Sequence, residues 1–180
     1  MGEIIKRFRF TFIILLLFVL LTSCGKENNF NPIIYSGNDL KIGIVGEKPK
    51  SKKKMYSFIP LTMEDISSSN FDNLDSVFIN KKYLSEAAKE EYANVYLESP
   101  LPFVFIDSYK VYLAYIDKDT SYENAHKSKS GDYLIGFYKD TYFGLSLYNN
   151  IKNEETIQDS YARMFNILEK FKSTGEIVLE

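Results

Sequence analysis

Glu47, Asn80 and Asp107 are the side chains of this 180-residue chain best placed to meet a ligand, because each follows a short β-rich run. In open parallel sheets, ligands bind beyond the carboxyl ends of the strands, at the point where the strand order reverses. Two carboxylates and an amide around one such crevice suit a polar, neutral or cationic small molecule better than a phosphate. Asn, Asp and Gly also stand at strand ends simply because chains turn there, and that plainer reading outweighs the ligand-binding one.

Other candidates for chemistry fall short of their patterns. His126 is the one histidine and lies in a polar stretch, which reads as an exposed loop residue. No GxSxG elbow accompanies it; Gly144-Leu-Ser-Leu-Tyr148 begins like one and then departs. Asp117-Lys-Asp119-Thr-Ser121 opens like a calcium loop, but Tyr122 and Ser128 stand where Gly and Glu are needed, so it reads as a turn and cap. Gly43-Ile-Val-Gly46 closes the first strand without either phosphate-loop spacing, and Gly46 reads as a turn residue. Cys24 is the single cysteine, which excludes an intrachain disulfide, a CxxC redox pair and a multi-thiolate metal site. The motifs thus imply no catalytic residue, no metal and no cofactor. Lys48, Lys50, Lys52, Lys53 and Lys54 form the one charge cluster; it reads as a solvated loop, with contact to anionic headgroups as the functional alternative. The many tyrosines recur mostly at core spacing, so they read chiefly as packing residues, with a carbohydrate or peptide platform as the alternative.

These residues are positioned by a legible succession of elements. Residues 40–45 and 56–60 read as strands, with Pro60 ending the second. Thr62 and Asp65 have capping-box spacing for a short helix. Residues 75–80 form a third strand, 82–98 an amphipathic helix, and 103–107 an unbroken apolar strand of the kind buried on both faces of a parallel sheet. Residues 111–116 alternate loosely as a further strand, and 117–131 form a polar loop with a helical turn from Thr120. Residues 133–138 and 142–148 flank Lys139-Asp140 as an antiparallel hairpin. Asn153 caps a last helix whose core stripe is Ile157, Tyr161, Met164, Phe165, Leu168 and Phe171, and Gly175 ends it. The pattern predicts a small three-layer, doubly wound α/β domain. Its sheet is mainly parallel in the order 2-1-3-4, with an antiparallel C-terminal extension and a C-terminal helix. An α+β sheet with helices on one face is the alternative.

Ahead of the domain lies a segment of another kind. Lys6, Arg7 and Arg9 precede a run, 10–21, that is apolar except for Thr11. As a helix this run reaches about 18 Å, short of the ~30 Å hydrocarbon core, so it fits a secretory signal better than a permanent span. It ends in Leu21-Thr22-Ser23-Cys24-Gly25, which resembles the lipobox of bacterial lipoproteins at all four positions. The resemblance implies diacylglycerol transfer to the Cys24 thiol, cleavage before Cys24 by the lipoprotein signal peptidase, and further acylation, of the palmitate type, at the new amino group. Two or three acyl chains hold a protein to a membrane far more firmly than one. Residues 1–23 then form the signal peptide, 24–38 the lipidated cysteine and a flexible tether of about 20 Å average span, and 39–180 a single globular domain.

Removing Lys6, Arg7, Arg9 and Glu3 from the totals of 22 basic and 24 acidic residues leaves a net charge of −4. That balance speaks against a nucleic-acid partner, whose binders carry a basic face. Beyond the lipobox the chain resembles the small uncharacterised lipoproteins of low-GC Gram-positive bacteria, a resemblance that implies no activity. The expectation is a membrane-anchored, extracytoplasmic, non-enzymatic binding or accessory domain, whose partners are membrane lipid through acylated Cys24 and an envelope protein or small-molecule ligand. A small carboxylate-based envelope hydrolase, or an assembly partner of a membrane complex, is the alternative.

Overall fold

A computed structural model describes residues 30–49 and 55–179. The segment read as an export signal, Cys24 and Lys50, Lys52, Lys53 and Lys54 lie outside the described residues. The chain divides after Asn31, and the domain is the unit Pro32–Glu180. Its six strands are β1 (Leu40–Val45), β2 (Tyr56–Leu61), β3 (Ser76–Ile79), β4 (Phe103–Ile106), β5 (Asp132–Tyr138) and β6 (Thr141–Ser146). They form one sheet in the order β2-β1-β3-β4-β5-β6. The first four are parallel to their neighbours, and β5 and β6 continue antiparallel. This is the expected mostly parallel α/β sheet with an antiparallel C-terminal extension.

The runs β3 (SVFI) and β4 (FVFI) are buried at every position, because helices cover both faces of the sheet. On one face Ile42, Ile44, Phe78, Val104 and Leu134 meet Tyr161, Phe165 and Leu168 of the long helix α5 (Glu154–Thr174). On the other, Val77, Ile79, Phe103 and Phe105 meet α1 (Met63–Ser67), α2 (Leu84–Ala87), α3 (Glu90–Glu98) and α4 (Leu113–Ile116). Helices on both faces exclude the one-faced α+β alternative. Both capping motifs form: Thr62 and Asp65 satisfy each other at α1, and Asn153 and Thr156 do so at α5. Gly175 closes α5 in the left-handed conformation at φ 75°. No helix among the described residues is long and apolar enough to cross a membrane.

Four local expectations change. Pro60 does not end its strand but lies inside β2, where it is tolerated because β2 is the edge of the sheet. The helix expected over 82–98 is a 3-10 turn (Lys81–Tyr83) followed by α2 and α3, with extended backbone at Lys89. Glu90 and Glu91 favour a fresh helix start there. The Tyr96 hydroxyl donates to the Ala87 carbonyl at 2.8 Å, satisfying an acceptor left by the break. Residues 111–116 form no strand, since the neighbours Ala114 and Tyr115 are both buried while Leu113 is exposed. Tyr115 turns back onto the sheet and stacks on Phe105 at 3.6 Å between ring centres. Finally, residues 33–38 fall within the tether read from the sequence, yet they are held along α5. Ile33 N–H donates to Asp159 (2.8 Å), Asn38 donates twice to Glu169 (2.8 and 2.6 Å), and the Tyr35 side chain is buried against Phe165.

Phe105 is wholly buried, with Tyr115 and Tyr96 against its ring. Phe105→Ala should therefore lower stability by about 3–5 kcal/mol. The loss should read as a reduced urea midpoint with unchanged slope.

Candidate functional site

A cavity of about 750 Å³ lies between α5 and the sheet, with Tyr56 and Phe58 of β2, Ile106 of β4 and Tyr133 of β5 in its wall. That volume is within the range of small-molecule sites, about 300–1,000 Å³. Its position follows from the fold. Tyr56 and Phe58 pair with Leu40 and Ile42 across the β2–β1 ladder and turn their rings toward Phe165 and Phe78. Successive turns of α5 supply Ile157, Tyr161 and Phe165, and Ile33 and Ile34 form a further wall. This part is aromatic and aliphatic. The polar part lies where β1, β3 and β4 end and α5 begins, and is lined by Glu47, Asn80, Lys152 and Glu154.

Of the three residues singled out from the sequence, Glu47 and Asn80 line this cavity together. The Asn80 amide donates to the Glu47 carbonyl at 3.2 Å and its oxygen accepts from Lys82 N–H, so Asn80 also caps the 3-10 turn. The Glu47 carboxylate is exposed and pairs loosely with Lys82 at 3.4 Å. Gly46 makes the close approach of the two turns possible: its φ is 98°, and a Cβ there would come within 2.8 Å of Asn80 Cβ. Asp107 is not a wall of the cavity. It sits beside it, 7% exposed and left-handed at φ 58°, with Oδ2 accepting from Lys152 Nζ (2.6 Å) and Lys81 Nζ (3.2 Å). Its Oδ1 is buried with no hydrogen-bond partner among the described residues.

Lys152 is the residue that sequence reasoning missed, and it connects Asp107 to the cavity. Its ammonium lies 5.5 Å from the Tyr133 ring centre and 5.8 Å from that of Tyr109, while Lys81 lies 5.4 Å from the Tyr109 ring. Burial pushes the Asp107 pKa up, but Lys152, Tyr109 and Lys81 outweigh it and hold the carboxyl below the ordinary aspartate value. Burial likewise pulls the Lys152 ammonium down, and the Asp107 carboxylate more than restores it, so Lys152 stays protonated. Two ammonium groups thus share one carboxylate. Asp107 is therefore not the free second carboxylate that the strand ends alone suggest, and the charged lining of the crevice end is Glu47 and Glu154 with Lys48 and Lys152. Only the chain order around Asn153, a helix cap preceded by lysine, hints at this arrangement.

His126 is exposed, and Asp117 accepts from Asp119 N–H and the Thr120 hydroxyl, as a turn residue does. No group of three or more metal-ligating side chains gathers among the described residues. Of the lysine cluster, Lys48 reaches the cavity wall.

Asp107→Asn keeps a residue that tolerates the left-handed conformation, removes the charge and turns one acceptor oxygen into an amide donor. A depressed carboxyl pKa stabilises the fold above the ordinary aspartate value, about 3.9, and this contribution disappears as pH falls through the lower folded value. Wild type should therefore exceed Asp107→Asn by about 1–3 kcal/mol at neutral pH, with the gap closing in strong acid. Urea midpoints across that pH range check it.

Comparison with known protein families, with curated proteins and with solved structures finds no match to this chain.

Proposed function

We propose that the chain is an exported bacterial lipoprotein, acylated at Cys24 and held on the extracytoplasmic face of the cell membrane. There its α/β domain binds a small ligand in the cavity beside α5. The anchoring half of this reading rests on Leu21-Thr22-Ser23-Cys24 following a short apolar run. The binding half is carried by one observation: a cavity with an aromatic floor and a few convergent polar groups at one end.

Binding is favoured over turnover by the state of the most polar group in reach. Lys152 is held protonated by Asp107, which suits it to attract a charge and unsuits it to act as a base or nucleophile. Asp107 in turn is engaged by two ammonium groups through one oxygen, so it serves to hold them. The role that follows is that of an accessory domain that captures or presents its ligand at the envelope.

Cys24→Ala should abolish metabolic labelling by radioactive palmitate and leave uncut precursor in the cell. Mass spectrometry of the wild-type protein should find a mature chain starting at acylated Cys24. A mature chain starting at any other residue would overturn the anchoring.

A further inference from the structure

We infer that the ligand of this cavity is a single-chain anionic amphiphile of the fatty-acid type, lying lengthwise with its charged head at Lys152 and its chain between β2 and α5. The inference rests on the reading of the cavity as a ligand site. It follows from how polarity is distributed along the cavity. Lining residues on α5 run from Glu154 to Phe165, and the eleven helical rises between them span about 16 Å. Polar groups gather at the Glu154 end, with Asn80, Lys152 and Asn153. Past the first turn of the helix the walls are Ile33 and Ile34, alongside Asp159, and then Tyr35, Tyr56, Phe58 and Ala162 toward Phe165. An elongated slot, wet at one end and apolar along the rest, matches a molecule with the same division.

The sign of the head comes from the cluster around Asp107. Lys81 and Lys152 both bind one oxygen of a single carboxylate, which leaves one positive charge uncompensated. Lys152 directs an ammonium with three donors into this region and gives one to Asp107 at 2.6 Å. Its flanking Tyr133 and Tyr109 rings limit where it can move. Two carboxylates also line this end of the cavity: Glu47 pairs with Lys82 at 3.4 Å, and Glu154 accepts from the neutral Gln158 amide at 3.1 Å, so the one carboxylate that holds Lys152 by a direct ion pair is Asp107. A planar carboxylate head therefore meets a cation fixed in place, while its methylenes replace water against rings that otherwise stay partly wet.

The test is photo-crosslinking of membranes carrying the full chain with a palmitate analogue bearing a diazirine near the chain terminus. Crosslinks should fall on the peptides containing Tyr56 and Phe58, or Phe165. Unlabelled palmitate should compete about tenfold better than hexadecanol, the difference expected of one charge-assisted hydrogen bond. Competition along the series octanoate, laurate, myristate and palmitate should rise and then level off as the chain outgrows the slot. Lys152→Gln should abolish the preference for palmitate over hexadecanol without moving the crosslinks. Ala162→Phe should fill the apolar part and cut labelling at least tenfold; its unfolding midpoint shows whether it remains folded, and the Lys152→Gln selectivity decides the matter if it does not. Crosslinks elsewhere, or hexadecanol competing as well as palmitate on wild type, would overturn the inference. Labelling of a Cys24→Ala chain would show a slot that works without the anchor. A chain correctly acylated at Cys24 but never labelled in the slot would remove this inference and leave the anchoring reading intact.

Discussion

A six-stranded sheet with neighbours about 4.8 Å apart is roughly 24 Å wide, whereas a helix with its side chains is about 10 Å across. On the face that holds α5, among the described residues, one helix does the covering, while four shorter helices share the opposite face. The shortfall in coverage has to be met by side chains and by chain segments from elsewhere. Phe78 lies at the middle of this arrangement, with Phe58, Tyr161 and Phe165 around its ring at 6.2–6.4 Å between centroids. Toward β2 the rings continue through Phe58 and Tyr56, and Tyr35 of the segment 33–38 packs against Tyr56 and Phe165. The cavity is what remains between sheet, helix and strap. It is therefore a property of the architecture, with two walls from sheet and helix and a third from the segment that holds Ile33 and Ile34.

The same geometry concentrates charge at one edge. Parallel strands all end on one side, and α5 begins there, so the exits of β1, β3 and β4 converge on the first turn of a helix. Asp107 leaves β4 in a left-handed conformation that turns the chain sharply and places its carboxylate out of water. An isolated carboxylate in such a place is costly, and lysines from two other elements supply the compensation. Lys81 comes from the turn after β3 and Lys152 from the residue before the α5 cap. The ion cluster thus ties three segments distant in sequence to one point beside the cavity. Tyr133 and Tyr161 line the cavity near it, and burial pushes the pKa of each up, so neither adds a negative charge.

How much of this was legible beforehand divides along the range of the interactions. β3 and β4 were legible because a strand buried on both faces must be an unbroken apolar run. Asn153, Thr62 and Gly175 were legible because caps act within four residues. Glu47 and Asn80 could be placed on one edge once the strand order was read, since parallel strands end together. What escaped depends on contacts between remote positions. The strap 33–38 looks like a polar linker, and its bonds to Asp159 and Glu169 span more than a hundred residues. Lys152 looks like any surface lysine before a helix. The break at Lys89 was hidden because the apolar stripe continues across it, while the Tyr96 hydroxyl that completes it lies a full helix away.

The strap has a mechanical consequence. It runs alongside α5 in the same direction, with Ile33 bonded near the start of the helix at Asp159 and Asn38 bonded farther on at Glu169. A pull on the chain ahead of Ile33 loads these attachments one after another, like a strip being peeled, before any strand of the sheet bears force. Ahead of the buried Tyr35 the strap is held by the Ile33–Asp159 bond, whereas the strand ladders share load across many bonds. Tension therefore opens the wall formed by Ile33 and Ile34 at forces that leave the sheet whole, and slackness lets it close again.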